Sequence, residues 1–241
     1  MESFERGKTS VKRGMVLAAG MGTRLRPETD KLPKALVQVA GRPMIHYPLL
    51  RLRAQGITDV VVNVHYLGDM LCEALGDGRD LGLNISFSCE EELLGTGGGI
   101  GKAARFFSGE RVVLINADTL IDADLGEVLR GHLSAGASAT LVAVDHYQPE
   151  EYTPVLVDGR GGVQGFGGTG APGLKPVVYT GLALLEPEIV ERLPADRFAC
   201  LVKDGLVPAI DDGLLVRAHI HHGYWQGLDT MKRIQQAERD M

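Results

Sequence analysis

Met15-Val16-Leu17-Ala18-Ala19-Gly20-Met21-Gly22-Thr23-Arg24-Leu25-Arg26 passes from an apolar run through two glycines to two arginines. A run this short, ended by turn residues, reads as a strand buried on both faces. Outward from it, Val60-Val61-Val62, Val112-Val113-Leu114-Ile115 and Leu141-Val142-Ala143-Val144 have the same character. Between them the apolar spacing becomes helical. Ile45, Leu49 and Leu52 share one face before Gly56, and Leu125, Val128, Leu129 and His132 do so before Gly136. Strands alternating with helices predict an α/β fold, a parallel sheet covered by helices on both faces. Pro48 falls inside the first helix and would cost a backbone bond there unless it lies in the opening turn. Pro43 is expected to mark that opening, with a kink as the alternative.

Past residue 147 the pattern breaks. Residues 147–176 are rich in glycine and proline, most densely at 159–173, around a short strand candidate, Val163-Gln164-Gly165-Phe166; a hairpin or lid is expected. Regular structure resumes over 177–185, a helix starts near Pro187, and a last helix over 230–239 closes the chain. Residues 1–12 are expected to form a flexible extension and 13–241 a single domain, since 241 residues with 44% hydrophobic composition can enclose one sizeable core.

Charge and cysteines narrow the classes. With 25 Lys and Arg against 31 Asp and Glu, the formal charge of -6 offers no broad footprint for nucleic acid. Cys72, Cys89 and Cys200 lack zinc or disulfide spacing and read as reduced thiols. No apolar segment suits a signal peptide or a membrane span, so a cytoplasmic protein without membrane contact is expected.

The chemistry concentrates after the first strand. Glycines at the carboxyl end of a parallel strand let backbone N–H groups approach phosphate oxygens, and Arg24 and Lys34 would add the positive charge. The spacing fits neither the dinucleotide fingerprint nor the Walker loop. Taken singly, Arg24 and Lys34 are ordinary solvated charges and Asp118 is a strand-end turn or helix cap. Gly97, Gly98 and Gly99 have two readings: a flexible loop leading into a helix over 100–106, or a floor allowing close backbone approach to a base.

Their order along the chain is more specific. LAAGMGTRLRPETDKLPKALVQVAGRPMI, residues 17–45, resembles the signature segment of the sugar-1-phosphate nucleotidyltransferases. The likeness continues through Asn63-Val64-His65-Tyr66, Glu91-Glu92-Leu93-Leu94-Gly95-Thr96-Gly97-Gly98-Gly99, Asn116-Ala117-Asp118 and Tyr179-Thr180-Gly181. The resemblance implies the nucleotide-diphospho-sugar transferase fold, a Rossmann-like mixed, mostly parallel sheet. It implies transfer of a nucleoside monophosphate from a nucleoside triphosphate to a sugar 1-phosphate, with pyrophosphate leaving and Mg2+ as cofactor. Carried over by position, Leu17, Ala18, Ala19, Gly20, Gly22, Thr23, Gly95, Thr96 and Gly97 would bind the nucleotide, and Asn116, Thr180 and Gly181 the sugar. Arg24 would grip the triphosphate, Lys34 would meet the α-phosphate or the incoming sugar phosphate, and Asp118 would hold the metal.

The match departs from the family in two places. The closing run Trp225-Gln226-Gly227-Leu228-Asp229-Thr230 has Gly227 where most relatives place the second metal-binding Asp. The run resembles the ending of glucose-1-phosphate cytidylyltransferases, which points to Asp229 as the substitute ligand; a helix cap is the alternative for Asp229. The Glu-Lys-Pro motif before Tyr179 is also missing, and Lys175 reads as a solvated loop residue. The compact length resembles the N-acetylmuramate-1-phosphate uridylyltransferase and mannose-1-phosphate guanylyltransferase groups, so sugar and base both stay open.

Two other functions compete. A phosphocholine-type cytidylyltransferase would suit residues 33–39, but that group lacks the loop of residues 95–99. A non-catalytic sugar-nucleotide-binding or regulatory homologue would explain Gly227. His219, His221 and His222 read as a polar edge rather than a metal cluster, and Trp225 as packing.

Overall fold

The computed structural model describes residues 10–145, 151–168, 170 and 172–241. Most of the expected extension at 1–12, and part of the expected lid at 147–176, therefore lie outside the described residues. The strands are β1 (Arg13–Leu17), β2 (Gln38–Val39), β3 (Arg42–Pro43), β4 (Asp59–Val64), β5 (Asn84–Cys89), β6 (Val112–Asn116), β7 (Thr119–Ile121), β8 (Ala139–Val144), β9 (Val155–Val157), β10 (Val163–Phe166), β11 (Lys175–Leu185), β12 (Val216–Ile220) and β13 (Trp225–Gly227). The α-helices are α1 (His46–Ala54), α2 (Gly68–Leu75), α3 (Gly95–Phe107), α4 (Leu125–Ala135), α5 (Pro187–Val190), α6 (Val207–Asp211) and α7 (Met231–Asp240), with a π-helical turn over Leu201–Leu206 before α6.

The main sheet runs β10-β9-β11-β6-β1-β4-β5, with β8 also beside β11 and β12 beside β8. It is mixed, as expected. β1 is parallel to both β4 and β6, and β4 to β5, while β11 runs antiparallel to β6, β8 and β9. In β1, alternate residues serve opposite faces. Met15 packs in the cluster that holds Ile100, Ala103 and Phe107 of α3, and Val16 packs in the one that holds Leu49 and Leu52 of α1; both strand residues are fully buried. Each such side chain contributes about 1.5–3 kcal/mol, which is why the apolar runs announced their strands so plainly. A third cluster, of Leu25, Val37, Val39, Met44, Leu228, Ile234 and Ala237, ties the segment after β1 to α7.

The helix boundaries correct several expectations. Pro43 lies in β3 and α1 opens at His46, so Pro48 is the third helical residue, in the first turn, where no intrahelical partner is lost. The glycines at 97–99 are helical, because α3 begins at Gly95. β5 was not marked by an apolar run: it lies at the sheet edge, and its buried residues, Ile85 and Ser88, interrupt an otherwise more exposed strand. Among the described residues no helix is long and apolar enough to cross a membrane.

Candidate active site

Leu17 pairs with Asn63 on one side and Asn116 on the other, so the carboxyl ends of β4, β1 and β6 finish flush. A cleft of about 270 Å3 opens there. Residues 17–20 line it after β1, Lys34 and Ala35 overhang it, and Asn63 closes one side. Leu93, Gly95 and Thr96 stand at the start of α3, and residues 116–118 at the end of β6.

Asn63 holds these loops together. Its Oδ1 accepts from Ala18 N–H at 2.8 Å and its Nδ2 donates to Glu90 Oε1 at 2.7 Å, while Glu90 Oε2 accepts from Leu94 N–H at 2.9 Å. Both side chains are buried. Gly99 is required beside them, because a Cβ there would stand 2.8 Å from Asn63 Nδ2 and 2.7 Å from Glu90 Oε1. Gly97 has the same need against another segment, where a Cβ would lie 3.0 Å from the backbone of Cys200 and Leu201. Its N–H donates to Ala199 O at 2.8 Å and Thr96 Oγ1 accepts from Leu201 N–H at 2.9 Å. The glycine run is thus a helix start rather than a flexible loop, pressed at 95, 97 and 98 against residues 197–201 and at 99 against Asn63 and Glu90.

Lys34 and Asp118 form a partly buried ion pair, at 17% and 23% side-chain exposure, across the mouth of the cleft. Ala117 N–H donates to Leu17 O at 3.0 Å and Leu228 N–H to Asp118 O at 2.7 Å, so the β6 end bridges the signature loop and the chain after β13. That second bond sets the residue before Asp229 against the backbone of Asp118. Asp229 is buried, with Oδ2 2.6 Å from Arg24 Nη1 and Oδ1 2.6 Å from Arg233 Nη1. The cap of α7 is Thr230, whose hydroxyl accepts from Arg233 N–H, so Asp229 does not cap the helix through its side chain.

The remaining expected residues stand behind the walls. Gly22, at φ 64°, makes room for Lys34, whose Cβ would be 2.8 Å from an added methyl, and Thr23 opens the short turn that buries Leu25. Thr180 turns its hydroxyl to Val142 O at 2.8 Å and is buried. Gly181, at φ 86°, lets β11 press on Asn116, where a Cβ would meet Nδ2 at 2.6 Å. Tyr179 has its hydroxyl buried without a partner, and burial pushes its pKa up. Lys175 reaches the exposed Asp145 at 3.4 Å. Trp225 packs against the core and donates from Nε1 to Thr180 O at 3.0 Å, and His221 pairs with Asp122 at 2.7 Å. Asn63 and Glu90 were not marked as site residues by sequence reasoning. The available signal was a polar residue directly after Val60-Val61-Val62, the same pattern that marks Asn116.

Asp118 and Asp229 are hard-oxygen donors on adjoining segments, each now balanced by Lys34 or by two arginines, and this donor set fits a divalent cation. Among the described residues no group of three or more His, Cys, Asp or Glu side chains gathers, so phosphate oxygens and water would complete the shell.

The family model described as Nucleotidyl transferase matches residues 13–241. The chain belongs to that family. It is 32% identical to the N-acetylmuramate alpha-1-phosphate uridylyltransferase of Neisseria meningitidis serogroup B, covering 94% of this chain and 96% of the relative. It is 30% identical to a mannose-1-phosphate guanylyltransferase of Mycobacterium tuberculosis over 94% of this chain, and it spans 64% of that longer relative. These family members are named as nucleotidyltransferases acting on sugar 1-phosphates. In fold, the chain matches HddC from Yersinia pseudotuberculosis, with a TM-score of 0.81 at 23% identity over 95% of this chain and 99% of that one. It also matches a Bacillus anthracis protein described as a glucose-1-phosphate thymidylyltransferase, at TM-score 0.79 and 19% identity over 94% of each chain.

Proposed function

We propose that this chain joins a nucleoside monophosphate, taken from a nucleoside triphosphate, to a sugar 1-phosphate and releases pyrophosphate, with Mg2+ as its metal. The observation that carries the reading is the Lys34–Asp118 pair, held across the flush strand ends at a cleft with glycine-bearing walls. An oxygen of the sugar phosphate attacks the α-phosphorus in line with the departing pyrophosphate, so no covalent protein intermediate is needed and catalysis consists of positioning and charge neutralisation. Residues 17–20 with Gly95 and Thr96 hold the nucleotide. Lys34 neutralises charge at the α-phosphate, and Arg24 meets the pyrophosphate end of the triphosphate. Asn116 faces the sugar side, supported from behind by Gly181, with Thr180 next to that glycine in β11. Asp118 and Asp229 would hold the metal, which would supply Lewis-acid charge to the reacting phosphates.

The relative matched along almost its whole length makes N-acetylmuramate 1-phosphate the first acceptor to try and mannose 1-phosphate the second. The test is pyrophosphate release from a matrix of nucleoside triphosphates and sugar 1-phosphates, with Mg2+ and with chelator. Release confined to one base and one sugar, and lost on chelation, is expected. Nucleotide binding with silence across the matrix would contradict the reading and favour a binding protein.

A further inference from the structure

A second cavity, of about 660 Å3, opens beside the cleft between α7 and β13. It shares Arg24 with the candidate site, and the Arg24–Asp229 ion pair joins it to the reaction centre. One wall is aromatic. The rings of Tyr152 and Trp225 lie 5.5 Å apart at 56°, and the Arg233 guanidinium stands 4.9 Å over Tyr152. The Trp225 bond to Thr180 O fixes this wall to the part of β11 that presses on Asn116. The other wall is α7, where Lys232, Gln236 and Arg239 recur at helical spacing along one face.

Cations dominate the lining. Arg24, Lys232, Arg233 and Arg239 face a single carboxylate there, Glu151, on a chain whose formal charge is -6. Arg24 is paired with Asp229, and Arg233 with Asp229 and Glu151. None of the described residues gives Lys232 or Arg239 a carboxylate; Arg239 donates to Gln236 Oε1 at 2.7 Å instead. A solvated helix face would account for two loose cations. It would not account for their lining one cavity with two aromatic rings and with Arg24, which pairs with Asp229.

We propose that this cavity seats a second anionic group carried by the acceptor: the sugar 1-phosphate bears a carboxylate, which Lys232 and Arg239 hold while the sugar ring lies against Tyr152 and Trp225. The inference rests on the transferase reading. A triphosphate tail is the other available anion, but it has no ring to set against an aromatic wall, and Arg24 and Lys34 already stand at the reacting phosphates. The CH face of a pyranose matches that wall, and a carboxylate on the same ring matches the cations beyond it.

Steady-state pyrophosphate release with matched acceptors tests it: N-acetylmuramate 1-phosphate against N-acetylglucosamine 1-phosphate, and glucuronate 1-phosphate against glucose 1-phosphate. Each pair differs in the carboxylate. In at least one pair the parent protein is expected to favour the acidic acceptor by about tenfold or more in kcat/KM. The double variant Lys232→Ala, Arg239→Ala should lose that preference through a higher KM for the acidic sugar, with kcat and the KM for nucleotide unchanged. The charge-keeping pair Lys232→Arg, Arg239→Lys should retain it. Neutral acceptors used as well as acidic ones, or a variant that raises KM for both sugars alike or for the nucleotide, would overturn the proposal. No turnover by the parent protein with any sugar 1-phosphate would instead overturn the transferase reading, and this inference with it.

Discussion

Asn63 shows how one buried amide sets the shape of the cleft. It carries the signature loop through Ala18 N–H and the start of α3 through Glu90 and Leu94. Removing it leaves a buried N–H and a buried carboxylate oxygen short of partners, at about 1–3 kcal/mol each. Asn63→Ala is therefore expected to lose stability of that order and to lower kcat/KM by about tenfold, since near 1.4 kcal/mol of misplaced contact suffices. Denaturant unfolding and steady-state kinetics on the same preparation check it. Asn63→Asp should be at least as damaging, because it sets a second carboxylate against Glu90. At this scale the sequence disclosed Lys34 and Asp118 through the order of their motifs. It did not disclose what Arg24 and Asp229 do to each other: that pairing depends on β13 lying against β7 and on Leu228 N–H reaching Asp118 O, contacts between segments far apart in the chain.

At the scale of elements, α3 is governed by what lies against it. Local preference reads Gly95-Thr96-Gly97-Gly98-Gly99 as a loop, since each helical glycine costs about 1 kcal/mol relative to alanine. They are glycines despite that cost because residues 197–201 lie too close for a Cβ at 95, 97 and 98, and Asn63 and Glu90 too close for one at 99. Gly101 makes the competition measurable. An alanine there gains about 1 kcal/mol of helix propensity, but its Cβ would lie 2.7 Å from Leu193 O, with backbone rather than a flexible side chain in the way. Overpacking of this kind costs about 1–3 kcal/mol, so Gly101→Ala is expected to lower Tm by a few degrees, about 2–4 °C per kcal/mol for a chain this long. A rise in Tm would mean that residues 193–194 yield easily. The buried strands were legible because both their faces are apolar; β5 was not, because its edge position leaves polar residues in place.

Across the whole molecule, the candidate site and the Glu186 network occupy opposite ends of the sheet. The cleft sits at the carboxyl end of β6, while at its other end Val112 pairs with Leu185, the residue before Glu186. Glu186 accepts from Arg111 at 2.7 Å and contacts His132 Nε2 at 2.9 Å, and His132 reaches Thr140 at 2.8 Å. Burial alone would raise the Glu186 pKa, but the hydrogen bonds from His132 and Arg111, with the Arg111 charge, outweigh it and hold the carboxyl below its ordinary value. A carboxylate depressed in the folded state contributes stability above the ordinary glutamate range and loses it as pH falls through the folded value. Glu186→Gln is thus expected to lower Tm near neutrality, with the gap to the parent protein narrowing from about pH 6 towards pH 3, and to leave kcat unchanged. Thermal scans across pH beside one activity assay test both halves.

The proposed transfer requires Asp118 at the reacting centre, not merely at the end of a strand. Pyrophosphate release by Asp118→Asn beside the parent protein, with thermal unfolding recorded on the same samples, tests it most directly. The change keeps the shape of the side chain, and losing a partly exposed ion pair with Lys34 costs about 1 kcal/mol or less. The expected result is turnover reduced by about a hundredfold or more while unfolding stays cooperative and close to the parent. Turnover within about twofold of the parent would rule Asp118 out of the reacting centre.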